Sequence, residues 1–148
     1  MKQIHTEIFI DASAERVWQV LTGFADFPDW NPFLRSAQGD LRPGSKLEVR
    51  IQAPGSKGMT FKPTVQTAEP GGELRWIGHF LLPGIFDGEH HFILESIREG
   101  GVRFIQGERF TGVLVPLMAL IGLFRKTEQG FVEMNLALKS RAELATEG

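Results

Sequence analysis

Apolar and polar residues alternate at the start of the chain, over residues 4–10, which predicts a first β-strand. A change to helical spacing follows over residues 16–21. Either Asp11 or Ser13 is suited to cap this short helix, and Gly23 ends it. Residues 24–33 are too rich in proline and aromatic residues for a long helix, so we expect one helical turn followed by an aromatic corner.

Strand patterns then repeat through the middle of the chain, and most are separated by proline and glycine turns. The predicted strands cover residues 34–39, 46–52, 59–68, 73–80 and the two arms of a hairpin over 89–110. Three glycines interrupt these patterns at positions where we expect bends or bulges: Gly78, Gly88 and Gly107.

The hairpin has the most informative pattern, because polar residues occupy its apolar face. A turn at residues 98–100 fixes the register of its two arms. The facing pairs on that side are His90 with Glu108, Phe92 with Gln106, and Leu94 with Phe104. Burying a carboxylate and an imidazole costs several kcal/mol unless they pair or meet water. A hollow, partly wet interior would accommodate them, so the hairpin predicts a cavity.

Beyond Gly112 the apolar period becomes helical, and one helix is predicted from residue 115 to residue 144. Pro116 suits its first turn. Gly122 and Gly130 each lower helix stability by about 1 kcal/mol relative to alanine, so we expect them to make room for close packing or for a ligand. The first turns are apolar on all sides. This favours burial on two sides, a dimer interface, or a lid that meets lipid.

Composition limits the class of protein. The chain has 148 residues, 42% of them hydrophobic, with no cysteine and a net charge of −2. These values predict one domain over residues 1–148, exclude disulfides and give no basic footprint for nucleic acid. We expect no signal peptide, since residues 1–10 lack a continuous apolar stretch, and the apolar run over 112–124 is too short to span a bilayer. We therefore expect a cytoplasmic protein without stable membrane insertion.

Three stretches resemble a known superfamily when taken in order: residues 8–21, the Trp-Asn-Pro corner at 27–33, and the hairpin at 88–112. The chain resembles the helix-grip fold of the START and Bet v 1-like superfamily, and within it the SRPBCC or polyketide cyclase/dehydrase branch. The resemblance implies an α+β fold in which a curved seven-stranded antiparallel sheet wraps around a long C-terminal helix, with two short helices after the first strand. It also implies an elongated apolar cavity, but no single activity.

The candidate ligand-binding residues combine aromatic and apolar side chains with a few polar groups, as ligand pockets do. They are Trp30, Phe33, Phe80, Phe86, His90, Phe92, Gln106, Glu108, Phe110, Leu117, Met118 and Ile121. His90 and Glu108 are also the candidate catalytic pair, with Glu108 orienting the imidazole as a general base. The alternative is a buried polar pair that only fixes the strand register. His90 and His91 face opposite ways on a strand, so no metal site or cofactor is expected.

Three functions remain open from the sequence. The first is binding of a small hydrophobic or aromatic ligand, such as a lipid, quinone or polyketide-like compound, between the sheet and the C-terminal helix. The second is a cyclase or dehydrase that uses His90 and Glu108. The third is a lipid or quinone chaperone in transient contact with a membrane, with residues 81–86 as part of its gate. Either a monomer or a homodimer is compatible with the pattern.

Overall fold

The computed structural model describes residues 1–144. Within them lie eight strands and four α-helices, with a 3-10 turn at Phe24–Asp26. The strands are β1 (Lys2–Ile10), β2 (Leu34–Gln38), β3 (Glu48–Ile51), β4 (Met59–Phe61), β5 (Thr64–Glu69), β6 (Glu73–Phe80), β7 (Phe86–Ser96) and β8 (Val102–Thr111). The helices are α1 (Ala14–Thr22), α2 (Phe27–Trp30), α3 (Val115–Leu120) and α4 (Leu123–Leu144). The predicted domain also included residues 145–148, which lie outside the described residues.

The strands form two antiparallel sheets, so the expected single seven-stranded sheet is wrong. One sheet has the order β1-β8-β7-β6-β5 and the other has the order β2-β3-β4. The continuous strand predicted over 59–68 is divided at Pro63, which has no N–H to donate to a ladder. The sheets remain in contact there, because Lys46 and Thr64 form an isolated bridge and Leu47 N donates to Pro63 O at 2.9 Å.

The predicted hairpin register is confirmed: His90 faces Glu108, Phe92 faces Gln106 and Leu94 faces Phe104. No bulge occurs at the three glycines where bends or bulges were expected, since pairing runs unbroken through Gly78, Gly88 and Gly107. The register shifts instead lie in the β2–β3 and β5–β6 pairs. The glycines are explained by close approach. A Cβ on Gly107 would collide with the backbone of Ile4 and the ring of His91.

Ser13 caps α1, and its hydroxyl accepts from Arg16 N at 3.1 Å. The single C-terminal helix predicted over 115–144 is wrong. Gly122 has a φ of +80°, in the left-handed region that favours glycine, and it separates α3 from α4. Gly130 makes room as expected, because a Cβ there would collide with the buried ring of Phe33.

The core lies between α4 and one face of the larger sheet, with α1 also packed on α4. The long helix presents a fully buried stripe consisting of Phe131, Met134, Leu138 and Ala142. Burying such a stripe supplies most of the stability of an amphipathic helix. The packing is therefore dense along the second half of α4, and the cavity lies at its other end.

Candidate functional site

A cavity of about 500 Å³ lies between the ends of β6, β7 and β8, the β3–β4 hairpin, α3 and the start of α4. It is partly open to solvent. The lining residues are mostly apolar: Phe33, Ile51, Ala53, Ser56, Lys57, Gly58, Met59, Phe61, Gly78, His79, Phe80, Phe86, Gly88, Glu108, Phe110, Met118, Ile121, Leu123, Lys126 and Thr127. Both the volume and the apolar character are those of a small-molecule pocket.

Seven of the residues selected from the sequence line this cavity: Phe33, Phe80, Phe86, Glu108, Phe110, Met118 and Ile121. Two of them form an aromatic wall, since the rings of Phe86 and Phe110 stack at 5.4 Å with an interplanar angle of 8°. Phe124 supports that wall from α4, with its ring 4.8 Å from Phe110. Aromatic side chains thus cover the wall beside the single carboxyl group that lines the cavity among the described residues.

The other five selected residues lie outside the lining: Trp30, His90, Phe92, Gln106 and Leu117. Trp30 packs edge-on against Phe27 in the aromatic corner. Phe92 is fully buried against Trp76 in the core. Leu117 is half-exposed on α3, and the break at Gly122 explains this difference, because α3 does not continue the buried stripe of α4.

A strip of the cavity wall has no side chains, because Gly78 and Gly88 face each other on β6 and β7. A Cβ on Gly88 would collide with the carboxyl group of Glu108. A Cβ on Gly78 would come within 3.3 Å of the ring of Phe61. Gly88 therefore creates the space into which the Glu108 side chain extends, and Gly78 makes room for the ring of Phe61.

Glu108 is the carboxyl group of the cavity, and it is held mainly in its protonated form near neutral pH. Its side chain exposes 16% of its surface. Burial among apolar neighbours raises the pKa of Glu108 from 4.5 to about 8, because desolvation disfavours the charged form. A protonated carboxyl group is a hydrogen-bond donor, so at neutral pH the cavity offers a donor at this point.

His90 lies directly behind Glu108 and is neutral. Its ring is 4.4 Å from that of Phe92, 4.8 Å from that of Phe131 and 5.4 Å from that of Trp76. This burial lowers the pKa of His90 from 6.5 to about 3. Its hydrogen bond to Gln106 opposes the shift, and the nearby His91 adds to it. The expected function of His90 as a general base toward a ligand has no direct geometric route, because the ring does not line the cavity.

A chain of buried hydrogen bonds fixes which atoms of His90 carry hydrogen. Thr6 Oγ1 donates to the backbone carbonyl of Gln106 at 2.7 Å, and a carbonyl only accepts. Thr6 Oγ1 therefore accepts from Asn135 Nδ2, at 2.9 Å. Asn135 Oδ1 then accepts from Gln106 Nε2, at 2.7 Å. The remaining atom of the glutamine amide, Oε1, lies 2.9 Å from His90 Nε2.

Because Gln106 Oε1 only accepts, His90 Nε2 must be the protonated nitrogen of the neutral ring. His90 Nδ1 is then an acceptor, and it lies 3.6 Å from Glu108 Oε1. That distance is too long for a direct hydrogen bond. The proton of Glu108 therefore remains available to a ligand.

The sequence reasoning missed Thr6, Asn135, Lys57 and Lys126. Asn135 had a signal, since it is a polar residue on the stripe that Phe131 and Leu138 define, and it is 3% exposed. Lys57 and Lys126 line the cavity beside apolar residues, and nothing in their local pattern distinguishes them from solvated lysines.

Two kinds of feature are absent from residues 1–144. In this part of the chain no group of three or more histidine or acidic side chains is arranged to hold a metal ion. None of the helices described there combines the length and the apolarity needed to cross a bilayer.

Comparison with known proteins adds the family. The model of the family described as "Polyketide cyclase / dehydrase and lipid transport" matches residues 1–143. No curated protein matches the chain.

Several solved structures share the fold at low sequence identity. The Zhui aromatase/cyclase from Streptomyces sp. R1128 is 15% identical with a TM-score of 0.79, and the match covers 99% of this chain and 98% of that one. Ara h 8.0201 is 14% identical with a TM-score of 0.70, over 97% and 98% of the two chains. The di-domain ARO/CYC BexL, from the BE-7585A biosynthetic pathway, is 17% identical with a TM-score of 0.76; the match covers all of this chain and 48% of BexL.

Proposed function

Since this chain belongs to the polyketide cyclase/dehydrase and lipid transport family, we propose that it binds a small hydrophobic or aromatic molecule in the cavity beside Glu108. A lipid, a quinone or a polyketide-like compound fits this description. The ligand would present a hydrogen-bond acceptor, such as a carbonyl oxygen, to the protonated carboxyl group of Glu108 and lay its apolar body against Phe86 and Phe110.

The observation that carries the proposal is the single carboxyl group among the described lining residues, protonated near neutral pH in a mostly apolar cavity. Glu108 has a raised pKa of about 8, and its wall is the stacked pair of Phe86 and Phe110. A protonated carboxyl group in such surroundings donates a hydrogen bond to an acceptor such as a carbonyl oxygen. A small number of polar groups in fixed positions gives an apolar pocket its selectivity.

The test begins with native mass spectrometry of freshly purified protein, followed by solvent extraction and identification of what is bound. A copurifying carbonyl-bearing apolar molecule is the expected result. Its dissociation constant should then rise about fivefold to a hundredfold in Glu108→Leu, which removes the donor. Equal affinity in wild type and Glu108→Leu would contradict the assignment of Glu108.

A second candidate function is catalysis of a cyclase or dehydrase type, and the protonation of Glu108 near neutral pH favours it. A general acid works best when its pKa lies near the working pH. In this hypothesis Glu108 donates its hydrogen bond to the carbonyl oxygen of an enolisable substrate, and solvent water from the partly open cavity takes the proton from the carbon next to the carbonyl. Glu108, rather than His90, is then the group that touches the substrate.

Exchange of the hydrogen next to the carbonyl in deuterated water tests the catalytic hypothesis with the ligand that the first experiment identifies. The exchange rate should fall as pH rises above about 8, where Glu108 loses its proton, and Glu108→Gln should be much slower. Tight binding without protein-dependent exchange would leave the binding function and exclude this catalysis.

A further inference from the structure

An apolar surface surrounds one side of the cavity opening, and we call it the mouth surface. It consists of exposed apolar residues from the β6–β7 loop and from the region of α3: Phe80, Leu81, Leu82, Val113, Leu117, Leu120 and Ile121. Leu81 and Leu120 expose 78% and 84% of their surface. Phe80 and Ile121 also line the cavity, so the mouth surface is continuous with the cavity interior.

Hydrogen bonds fix the conformation of the β6–β7 loop, which carries part of the mouth surface. Asp87 Oδ2 accepts from Gly84 N at 3.0 Å, and Asp87 Oδ1 lies 2.7 Å from His79 Nδ1. The loop is also joined to the segment before α3, because Val113 N donates to Gly84 O at 3.1 Å. The two parts of the mouth surface are therefore held side by side.

Leu81 has a φ of 65°, and among residues 1–144 it is the single residue other than glycine with a positive φ. This backbone conformation is uncommon for leucine, and asparagine tolerates it better. A leucine in this position buries almost nothing within the chain, so its side chain does not compensate for the strain inside the molecule. The conformation does present an apolar side chain at the tip of the loop.

The cations beside the cavity indicate what the mouth surface contacts. Lys57 and Lys126 line the cavity, and Arg125 precedes Lys126 on α4. Glu108 is mainly uncharged near neutral pH, and the carboxylate of Asp87 offsets only one of these three cations. The opening therefore combines apolar side chains with an excess of positive charge.

We propose that the mouth surface docks on a lipid bilayer that contains anionic headgroups, so that the cavity opens toward the acyl chains. Exposed leucine and phenylalanine side chains beside lysine and arginine are the arrangement that binds such an interface. A second copy of the chain fits this surface less well, because a two-fold pairing would bring the cations of both copies together. Docking depends on the surface alone, so it goes beyond the proposed ligand binding.

Flotation with vesicles of phosphatidylcholine, with and without phosphatidylserine, tests the proposal. Wild type should float with the anionic vesicles and much less with the neutral ones. The variant Leu81→Asn/Leu120→Gln should bind at least about tenfold more weakly, since each leucine contributes apolar burial. Arg125→Gln/Lys126→Gln should lose about fivefold per removed charge, and only on the anionic vesicles.

A matched control is available on the outer face of α4, where Val132 and Leu136 are also about half-exposed but do not line the cavity. Val132→Gln/Leu136→Gln should float like wild type. Absence of wild-type flotation, or an equal loss in the control variant, would overturn the proposal. So would a dimer in sedimentation that Leu81→Asn/Leu120→Gln dissociates, since the mouth surface would then be an interface between copies. Ligand copurification is measured separately and does not depend on any of these outcomes.

Discussion

Replacing Glu108 by glutamine should change how the stability of the protein depends on pH. In the unfolded chain this carboxyl group ionises near its ordinary pKa of 4.5, while in the folded protein burial raises the pKa to about 8. The folded state therefore binds more protons than the unfolded state between these two values. Stability is fully present below pH 4.5 and is lost as pH rises toward 8. Glu108→Gln keeps the shape of the side chain and removes the titration.

The magnitude follows from the two pKa values. One pH unit corresponds to about 1.4 kcal/mol, so the whole interval corresponds to about 5 kcal/mol. His90 has the opposite sign, because its pKa falls from 6.5 to about 3 and its contribution is lost as pH falls below 6.5. The two effects cancel between pH 4.5 and 6.5. From pH 6.5 to 8 the loss due to Glu108 is not offset by His90 and amounts to about 2 kcal/mol.

Urea unfolding at a series of pH values measures this effect. The free energy of unfolding of Glu108→Gln minus that of wild type should increase by about 2 kcal/mol between pH 6.5 and 8. Glu95→Gln is the control, because Glu95 lies on the same hairpin but is exposed and paired with Arg103. A constant difference between Glu108→Gln and wild type across this range would refute the assignment of a buried, protonated Glu108.

Three further substitutions test the site. Gly88→Ala should displace the carboxyl group of Glu108, which lowers its pKa toward 4.5 in a ¹³C-NMR titration and weakens ligand binding, with a stability cost below about 1 kcal/mol since a flexible side chain gives way. Gln106→Glu should place a carboxylate against Nε2 of His90 and raise its pKa; ¹⁵N-NMR at pH 6 should then show a doubly protonated ring, and a ring that stays neutral would contradict the hydrogen-bond chain. Gly130→Ala should destabilise the protein by about 1 to 2 kcal/mol in urea unfolding, because the added methyl group meets a buried phenylalanine ring and this exceeds the gain in helix propensity.

The hairpin was predictable because its turn and its period of two leave one register that keeps apolar partners together. The division into two sheets was not predicted, although Pro63 was visible, because the pattern on both sides of it continues as if the strand were unbroken. The break at Gly122 was hidden in a similar way. A single glycine in a helical pattern lowers stability by about 1 kcal/mol, and the sequence does not say whether the helix tolerates it or ends.

The sequence identified many residues of the candidate site but not how they are arranged. The facing of His90 and Glu108 follows from strand pairing alone. Which of the two borders the cavity depends on how α4 crosses the sheet, and that long-range packing has no periodic signal. The side chain of Asn135 forms hydrogen bonds with Gln106 and Thr6, which lie on two strands that are distant from it in sequence. No local pattern therefore connects Asn135 to either residue.

The facing glycines of β6 and β7 have a consequence for how this molecule can diversify. Gly78 and Gly88 have no side chains, so part of the cavity volume exists because nothing projects into it from these two positions. Each added methyl or larger group at these two positions would subtract volume from the pocket while leaving the dense packing along α4 untouched. Related chains could thus acquire narrower ligand ranges through single substitutions on two neighbouring strands, without having to rebuild the fold that supports them.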